Sequence, residues 1–330
     1  MGNHKNTESP KKRRGVLLTV SVVLIAMAAV ALWVCYQVVL AGAHSRYMGI
    51  KNVTSEKIAK VIRGVEMNAN NIFDDVNSNL DNSEDVIAAL KNKATLNLDV
   101  RGYFAAFEPN YYPERGNWFE PYFFQLEYGG FDYRQVGSAR HNYTKSPWYV
   151  QAKKTGASFW SEPYYYYDGT NLSGHYATFV KPIYNSKGDL ACVCGADMKF
   201  EWLAKELKWV DESSRSNKLL NKYLLMSDLN YYTIILNKDG ACLAHPEEKE
   251  MSISDEDMRK DLLHRKSGVA DMDIDGVSCT VYYGPIEYID WSVAVVVPKY
   301  DIVKPMLPIV IILLSMVVIG FLIVWFVCKR

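Results

Sequence analysis

Net charge is the first thing this sequence lacks: 37 Lys and Arg offset 37 Asp and Glu. A balanced chain carries no overall field, so it has no electrostatic footprint of a nucleic-acid binder. Cysteine is scarce, six in 330 residues, with no Cys-x-x-Cys and no Cys/His spacing of a zinc site. Cys35 and Cys328 fall in apolar runs. Cys192 and Cys194 share one face of a predicted strand and cannot bridge easily, which leaves Cys242 and Cys279 as the one pair that adjacent strands could join. His4, His44, His141, His175, His245 and His264 are scattered, so neither a metal site nor a cofactor is expected. Gly-x-Ser-x-Gly, His-Glu-x-x-His, phosphate-loop and Cys-nucleophile patterns are missing too. Glu108, Glu114, Glu120, Glu127, Glu162 and Asp168 could in principle supply a glycosidase pair, but no spacing singles out two of them. The expectation is a protein that is not an enzyme.

Long apolar runs, by contrast, are present near each end. Residues 16–36 and 306–328 hold no charged side chain. Each exceeds the roughly 18–20 residues that cross a bilayer core as a helix. The first is longer than a signal-peptide core, so it reads as an uncleaved anchor even though Ala-Gly-Ala at 41–43 has the form of a cleavage site. Lys11, Lys12, Arg13 and Arg14 precede the first run, and Lys329 and Arg330 follow the second. The excess of basic residues puts both ends in the cytoplasm and residues 44–305 outside it, in an inner or plasma membrane.

The segment between is patterned as helix, β unit, helix, β unit. Ile58, Val61, Ile62, Val65, Ile72, Phe73, Val76 and Leu80 recur at three- and four-residue steps. Extended back to the membrane, this helix would cover about 45 residues, or ~70 Å, which makes a stalk. From Asp99 the pattern turns to aromatic-rich strands broken by Gly and Pro, with a hairpin at Asn-Ser-Lys-Gly-Asp, 185–189. Residues 199–210 return to helical spacing, and 219–226 read as a further short helix. A smaller β unit follows from Tyr231 to Pro298, opened by an Asn-Lys-Asp-Gly turn. The predicted fold class is α+β, with two tandem modules of antiparallel sheet on a stalk between two membrane helices. The predicted boundaries are a basic N-terminus 1–14, first membrane helix 15–43, stalk 44–98, outer module 99–212, inner module 213–305, second membrane helix 306–328 and cytoplasmic end 329–330.

Three blocks in this order resemble the double-Cache family of extracytoplasmic sensor domains. Trp148-Tyr149 precedes Trp-Ser-Glu-Pro-Tyr at 160–164, followed by a strand, the 185–189 hairpin and a Gly-Ala-Asp-Met block containing Asp197. ILNKDGACLAHP at 235–246 resembles the inner module's strand, turn and closing His-Pro. YYGPIEYIDWSVAVVVPKYDI at 282–302 resembles the last hairpin running into the second membrane helix. The resemblance covers about residues 44–304. It implies PAS-like (Cache) modules, a ligand in the membrane-distal one, and a receptor whose cytoplasmic output lies beyond this sequence. Chemoreceptor, histidine kinase, cyclic-dinucleotide enzyme and phosphatase outputs all occur behind such sensors. In the branch that binds amino acids, an arginine stands two residues before the Trp-Tyr pair and an aspartate two residues after the tyrosine of the Pro-Tyr turn. Ser146 and Tyr166 stand there instead, with Lys145 one position off, so a free amino acid is not the expected ligand.

These readings converge on a small organic ligand bound around Trp148, Tyr149, Tyr164, Tyr166, Asp168, Tyr176 and Asp197. Trp148 and Tyr149 are expected to form one wall, Asp197 a polar anchor, and the four tyrosines at 164–167 the opposite lip. Alternation along an extended segment would turn Tyr164 and Tyr166 one way and their neighbours the other. A homodimer is expected, with part of the stalk's apolar stripe available to a second copy. The competing reading is a surface module for glycan or protein, whose rings would face outward as a platform.

Overall fold

The computed structural model describes residues 10–94, 97–126, 129–166, 172–215, 230–247 and 249–329. The predicted helix at 219–226, Tyr167, Asp168 and Glu127 lie outside them. Helix α1, Pro10–Ser78, is one unbroken rod of 69 residues, because no proline interrupts it after its first residue. Its first half carries the apolar run, with Met27 and Trp33 turned outward. The second half buries Ile58, Ile62, Val65, Ile72, Phe73 and Val76 of the stripe read from the sequence, with Ala69 beside them, while Val61 and Leu80 are only partly buried against the same core. Fully burying each large member of that stripe is worth roughly 1.5–3 kcal/mol. The helix does not run on to residue 98. It stops at Ser78, and Asn82 caps a separate helix α2, Ser83–Lys93, by accepting a hydrogen bond from the Glu84 amide. Val86, Ala89 and Leu90 of α2 join the same core.

Seven antiparallel strands form the first sheet: β1 Val100–Phe107, β2 Pro121–Gln125, β3 Phe131–Gln135, β4 Phe159–Trp160, β5 Tyr164–Tyr166, β6 Gly174–Tyr184 and β7 Leu190–Lys199. The spatial order is β3-β2-β1-β7-β6-β4, with β5 also on β6. Both faces are covered, so β1 and β7 read as continuous buried runs rather than alternating ones. Alternation still decides which residues meet which layer. Cys192, Cys194, Ala196 and Met198 of β7 face the α1 stripe, where Phe73 stacks on Phe179 of β6. Val193, Gly195 and Asp197 face the opposite way, toward helix α3, Pro147–Thr155, which ends at left-handed Gly156. Cys192 and Cys194 are free, with sulfurs 3.8 Å apart.

Helix α4, Glu201–Arg215, leads to the second sheet. Its strands are β8 Tyr232–Asn237, β9 Cys242–Ala244, β10 Gly268–Ile274, β11 Val277–Pro285 and β12 Trp291–Pro298, in the order β10-β11-β12-β8-β9. Helix α5, Glu256–Leu263, caps one face through Met258 and Leu262. Cys242 and Cys279 do not pair: β12 and β8 stand between their strands, and both thiols are free. The lower stalk packs on this sheet, with Tyr47 against Tyr231 and Tyr282, and the Ser55 hydroxyl donates to the Pro285 carbonyl at 2.8 Å. Phe200 meets Trp291 edge-on at the junction, so the two sheets share core. β12 runs directly into α6, Lys299–Val303, and α7, Leu307–Lys329. The apolar parts of α1 and α7 are each long and apolar enough to cross a membrane, and none of either apolar window is buried in the protein. The architecture is thus α+β: a long N-terminal helix, two antiparallel PAS-like sheets and a C-terminal apolar helix.

Candidate functional site

A cavity of about 560 Å³ lies on the face of the first sheet away from the stalk. That size is in the range of small-molecule sites. Its floor is made by β1, β2, β6 and β7, one wall by α3, and its lip by the segment from Phe159 to Tyr166. Two glycines make room for the floor's rings. A Cβ on Gly195 would sit 2.1 Å from Phe104, and one on Gly102 would sit 2.6 Å from Tyr122. With hydrogen there instead, the Phe104 ring fits over Gly195 and the Tyr122 ring over Gly102, and both rings line the cavity. Trp148 packs on Phe104 with ring centroids 5.0 Å apart and completes that wall.

Two carboxyl groups stand among these rings. Asp197 is buried and accepts the Thr178 hydroxyl at 2.6 Å; Tyr164 meets the same Thr178 oxygen at 2.9 Å. Burial raises the Asp197 pKa to about 6, against the hydrogen bonds of Thr178, Tyr122 and Tyr164, which pull it down. Glu120, only 4% exposed, has Oε2 without a hydrogen-bond donor among the described residues. His141 Nε2 is near it at 3.5 Å. Burial first, and the charge of Asp197 second, push Glu120 well above the usual carboxylate range. Glu162 on the lip is raised by partial burial and is hydrogen-bonded to the Asn237 side chain in the second module.

Of the residues named from the sequence, Trp148, Tyr164, Tyr166, Tyr176 and Asp197 line this cavity. Tyr149 does not. Consecutive helical positions are ~100° apart, so Tyr149 turns behind α3, where its hydroxyl donates to Glu108 at 2.7 Å and Lys153 pairs with the same carboxylate. Asp168 lies outside the described residues. Along the tyrosine run, Tyr164 reaches inward to Thr178, Tyr166 meets the His141 ring at 5.4 Å, and Tyr165 is 57% exposed with its ring tilted against His175 at 4.9 Å. The alternation holds for the backbone, yet Tyr165 still contributes to the rim.

Residues 86–205 match the family described as "Methyl-accepting chemotaxis protein-like, first PDC sensor domain". Among solved structures, the periplasmic sensory domain of the Campylobacter jejuni chemoreceptor Tlp1 superposes with a TM-score of 0.65 at 15% identity, covering 81% of this chain and 99% of that one. The ligand-binding domain of Mlp24 with asparagine gives 0.56 at 16% identity over 82% and 98%. That of the Pseudomonas aeruginosa PAO1 amino acid chemoreceptor PctB with L-Gln gives 0.51 at 17% over 78% and 91%. The chain has the double-Cache sensor fold. A comparison with curated proteins finds no match.

Within the double-Cache frame the cavity belongs to the membrane-distal module. Ser146 and Tyr166 both line it, and Lys145 is exposed. Sequence reading missed three contributors. Glu120 was one acid among six, and its distinction, burial, shows only in the folded chain, where it lines the cavity at 4% exposure. Tyr122 and Phe104 were ordinary strand aromatics. Gly102 and Gly195, glycines inside strands, were the available signal for a close ring approach.

Proposed function

We propose that this chain is the extracytoplasmic sensing region of a membrane receptor, with a small organic ligand bound in the distal cavity. The observation that carries this is a ring-walled cavity with two buried carboxyls, set on a sheet whose other face grips the stalk. Inward rings favour a sensor over a surface platform for glycan or protein: Tyr122, Trp148 and Tyr176 are all buried. Orientation follows the basic flanks, with both ends cytoplasmic and the modules outside.

The lip offers a path out of the cavity. Trp160 Nε1 donates to Glu66 of α1 at 2.8 Å, and Glu162, two residues on, holds Asn237 of the membrane-proximal module. A ligand that favours one lip position therefore also favours one position of the stalk and of the β8–β9 turn. β12 carries that change into α6 and α7, and so across the membrane.

Two experiments on the full chain in lipid nanodiscs test this. A panel of small amines, carboxylates, sugars and nucleobases is expected to contain at least one compound that raises the melting temperature. A panel with none overturns the cavity assignment. Trp160→Phe removes the N–H to Glu66 together with part of the ring that packs on Phe179, and Trp160 is not among the residues that line the cavity. Ligand affinity should stay within threefold of wild type, while ligand-induced changes in hydrogen exchange over residues 58–76 are lost. Unchanged exchange differences in Trp160→Phe would rule out this route.

A further inference from the structure

Lys51 of α1 is only 6% exposed where the lower stalk crosses the second sheet. A lysine this buried ordinarily has an acid beside it. Here burial lowers its pKa and no neighbouring carboxylate acts against that. Its one hydrogen bond among the described residues is to Ser267 Oγ, at 3.4 Å, longer than most such bonds.

The sheet is shaped around this amine. A Cβ on Gly284 of β11 would sit 2.7 Å from Lys51 Nζ and 2.4 Å from Ser267 Oγ. A glycine inside the strand thus lets the amine and the hydroxyl meet over bare backbone. Ser267 is exposed, so the amine comes up beside a group that solvent reaches. The basic residues next to Ser267 already have acids. Arg265 pairs with Asp290 at 2.9 Å and also donates to the Ile286 and Ile289 carbonyls, and Lys266 stands 3.9 Å from Asp261. Of these three cations, Lys51 is the one without a counter-charge.

Burying an ammonium in that condition is costly, and a bound anion removes the cost. Two of the ammonium's three N–H groups have no acceptor among the described residues. Ser267, which accepts from Lys51, keeps its own proton to donate. We propose that Lys51 and Ser267 form a second ligand site, in the membrane-proximal module, for a small singly charged anion: a short carboxylate or an inorganic ion of like size. Lysine is a compact point charge, and the nearby guanidinium fork of Arg265 is committed, so a small anion suits the site better than a planar or multiply charged one. The anion comes from solution. Gly284 pairs with Val293, five rises of about 3.3 Å, or ~17 Å, before Pro298, where the chain turns toward the second span. Lipid headgroups lie below that level. Because the amine belongs to the stalk and the hydroxyl and glycine to the sheet, an occupied site favours one setting of the stalk against the inner module. This site does not depend on the reading of the distal cavity.

Melting of the full chain in nanodiscs tests the proposal. Sodium gluconate, the bulky reference, is replaced stepwise by formate, acetate, chloride, bicarbonate or sulfate at constant ionic strength. At least one singly charged anion is expected to raise the melting temperature along a saturating curve, by about 5 °C at a hundredfold excess over its Kd. Whether the carboxylates or the inorganic ions bind more tightly identifies the source. Lys51→Met keeps a stem of similar length without the charge. It should abolish the saturating response and melt higher than wild type in gluconate alone. Ser267→Ala, at an exposed position, should weaken the anion at least threefold, and it decides the matter if Lys51→Met does not fold. A rise that is linear in salt and persists in both variants is the general exclusion of salts from protein surfaces, and it overturns the site. A wild type that responds to no anion also overturns it and makes Lys51 a neutral core amine. Tighter binding of sulfate overturns the singly charged class.

Discussion

Asp197→Asn is expected to stabilise the protein at pH 7.5, by roughly 3 kcal/mol, and to leave its stability unchanged at pH 3.5. The carboxyl's pKa rises from an ordinary 3.8 to about 6 on folding, chiefly because burial disfavours its charge. Each unit is worth about 1.4 kcal/mol. The native state therefore holds this proton more tightly than the unfolded chain does. Below pH 3.8 both states are protonated and nothing is lost. Between pH 3.8 and 6 the unfolded chain releases its proton first, so stability falls as pH rises, and above about 6 the full penalty is present. Asparagine has no charge to desolvate, and its Oδ1 can still accept the Thr178 hydroxyl that Asp197 accepts at 2.6 Å. In melting temperature the gain at pH 7.5 is roughly 5 °C, read by calorimetry of the full chain in nanodiscs. A gain independent of pH, or a loss at pH 7.5, would contradict the burial argument. The same substitution is expected to cost ligand affinity, a trade common at binding sites whose groups are held in unfavourable surroundings. Glu120→Gln should show the same sign, and the double variant less than the sum, because Asp197 is itself part of what raises Glu120.

Gly195→Val is expected to destabilise the distal module by about 1–3 kcal/mol, the usual range for overpacking, and to abolish ligand-induced thermal shifts. Gly195 pairs directly across from Phe104 on β1, and the ring covers it. A Cβ there would sit 2.1 Å from Phe104 Cζ and 2.3 Å from Cε1, closer than real contacts allow. The sheet behind is closed by the α1 stripe, so the ring has one direction in which to move, into the cavity. The cost of the clash is moderated by that empty direction, and the cavity is filled as a result. Phe104→Ala added to Gly195→Ala should recover most of the stability lost by Gly195→Ala alone, a coupling that independent sites would not show. Full additivity of the two changes would mean that the ring is not what the glycine accommodates.

Much of the architecture was readable because its signals are local. The stripe Ile58–Ile62–Val65–Ile72–Val76 announces a helix with one buried face. Two uncharged runs announce membrane helices, and Gly-containing turns mark hairpins. The break at Ser78 was not legible: the three- and four-residue spacing persists to Leu80, and the cap at Asn82 declares itself only once Val86 and Leu90 have α1 to pack on. Trp148 and Tyr149 show the limit for site residues. They are neighbours of similar chemistry, and a single helical step sends one to the cavity and the other to Glu108.

The sequence by itself determined the order of elements, the two apolar spans and the alternation that turns Gly195 and Asp197 away from the stalk. Such facts depend on residues within a turn or two of one another. The Gly-Ala-Asp-Met block pointed to Asp197, but tertiary structure alone put Glu120 beside it: the two are 77 positions apart, and nothing near Glu120 marks it. They meet because β2 and β7 both flank β1, and closure of that sheet removes both from water. Desolvation is a property of everything packed around a group, so no local pattern encodes it.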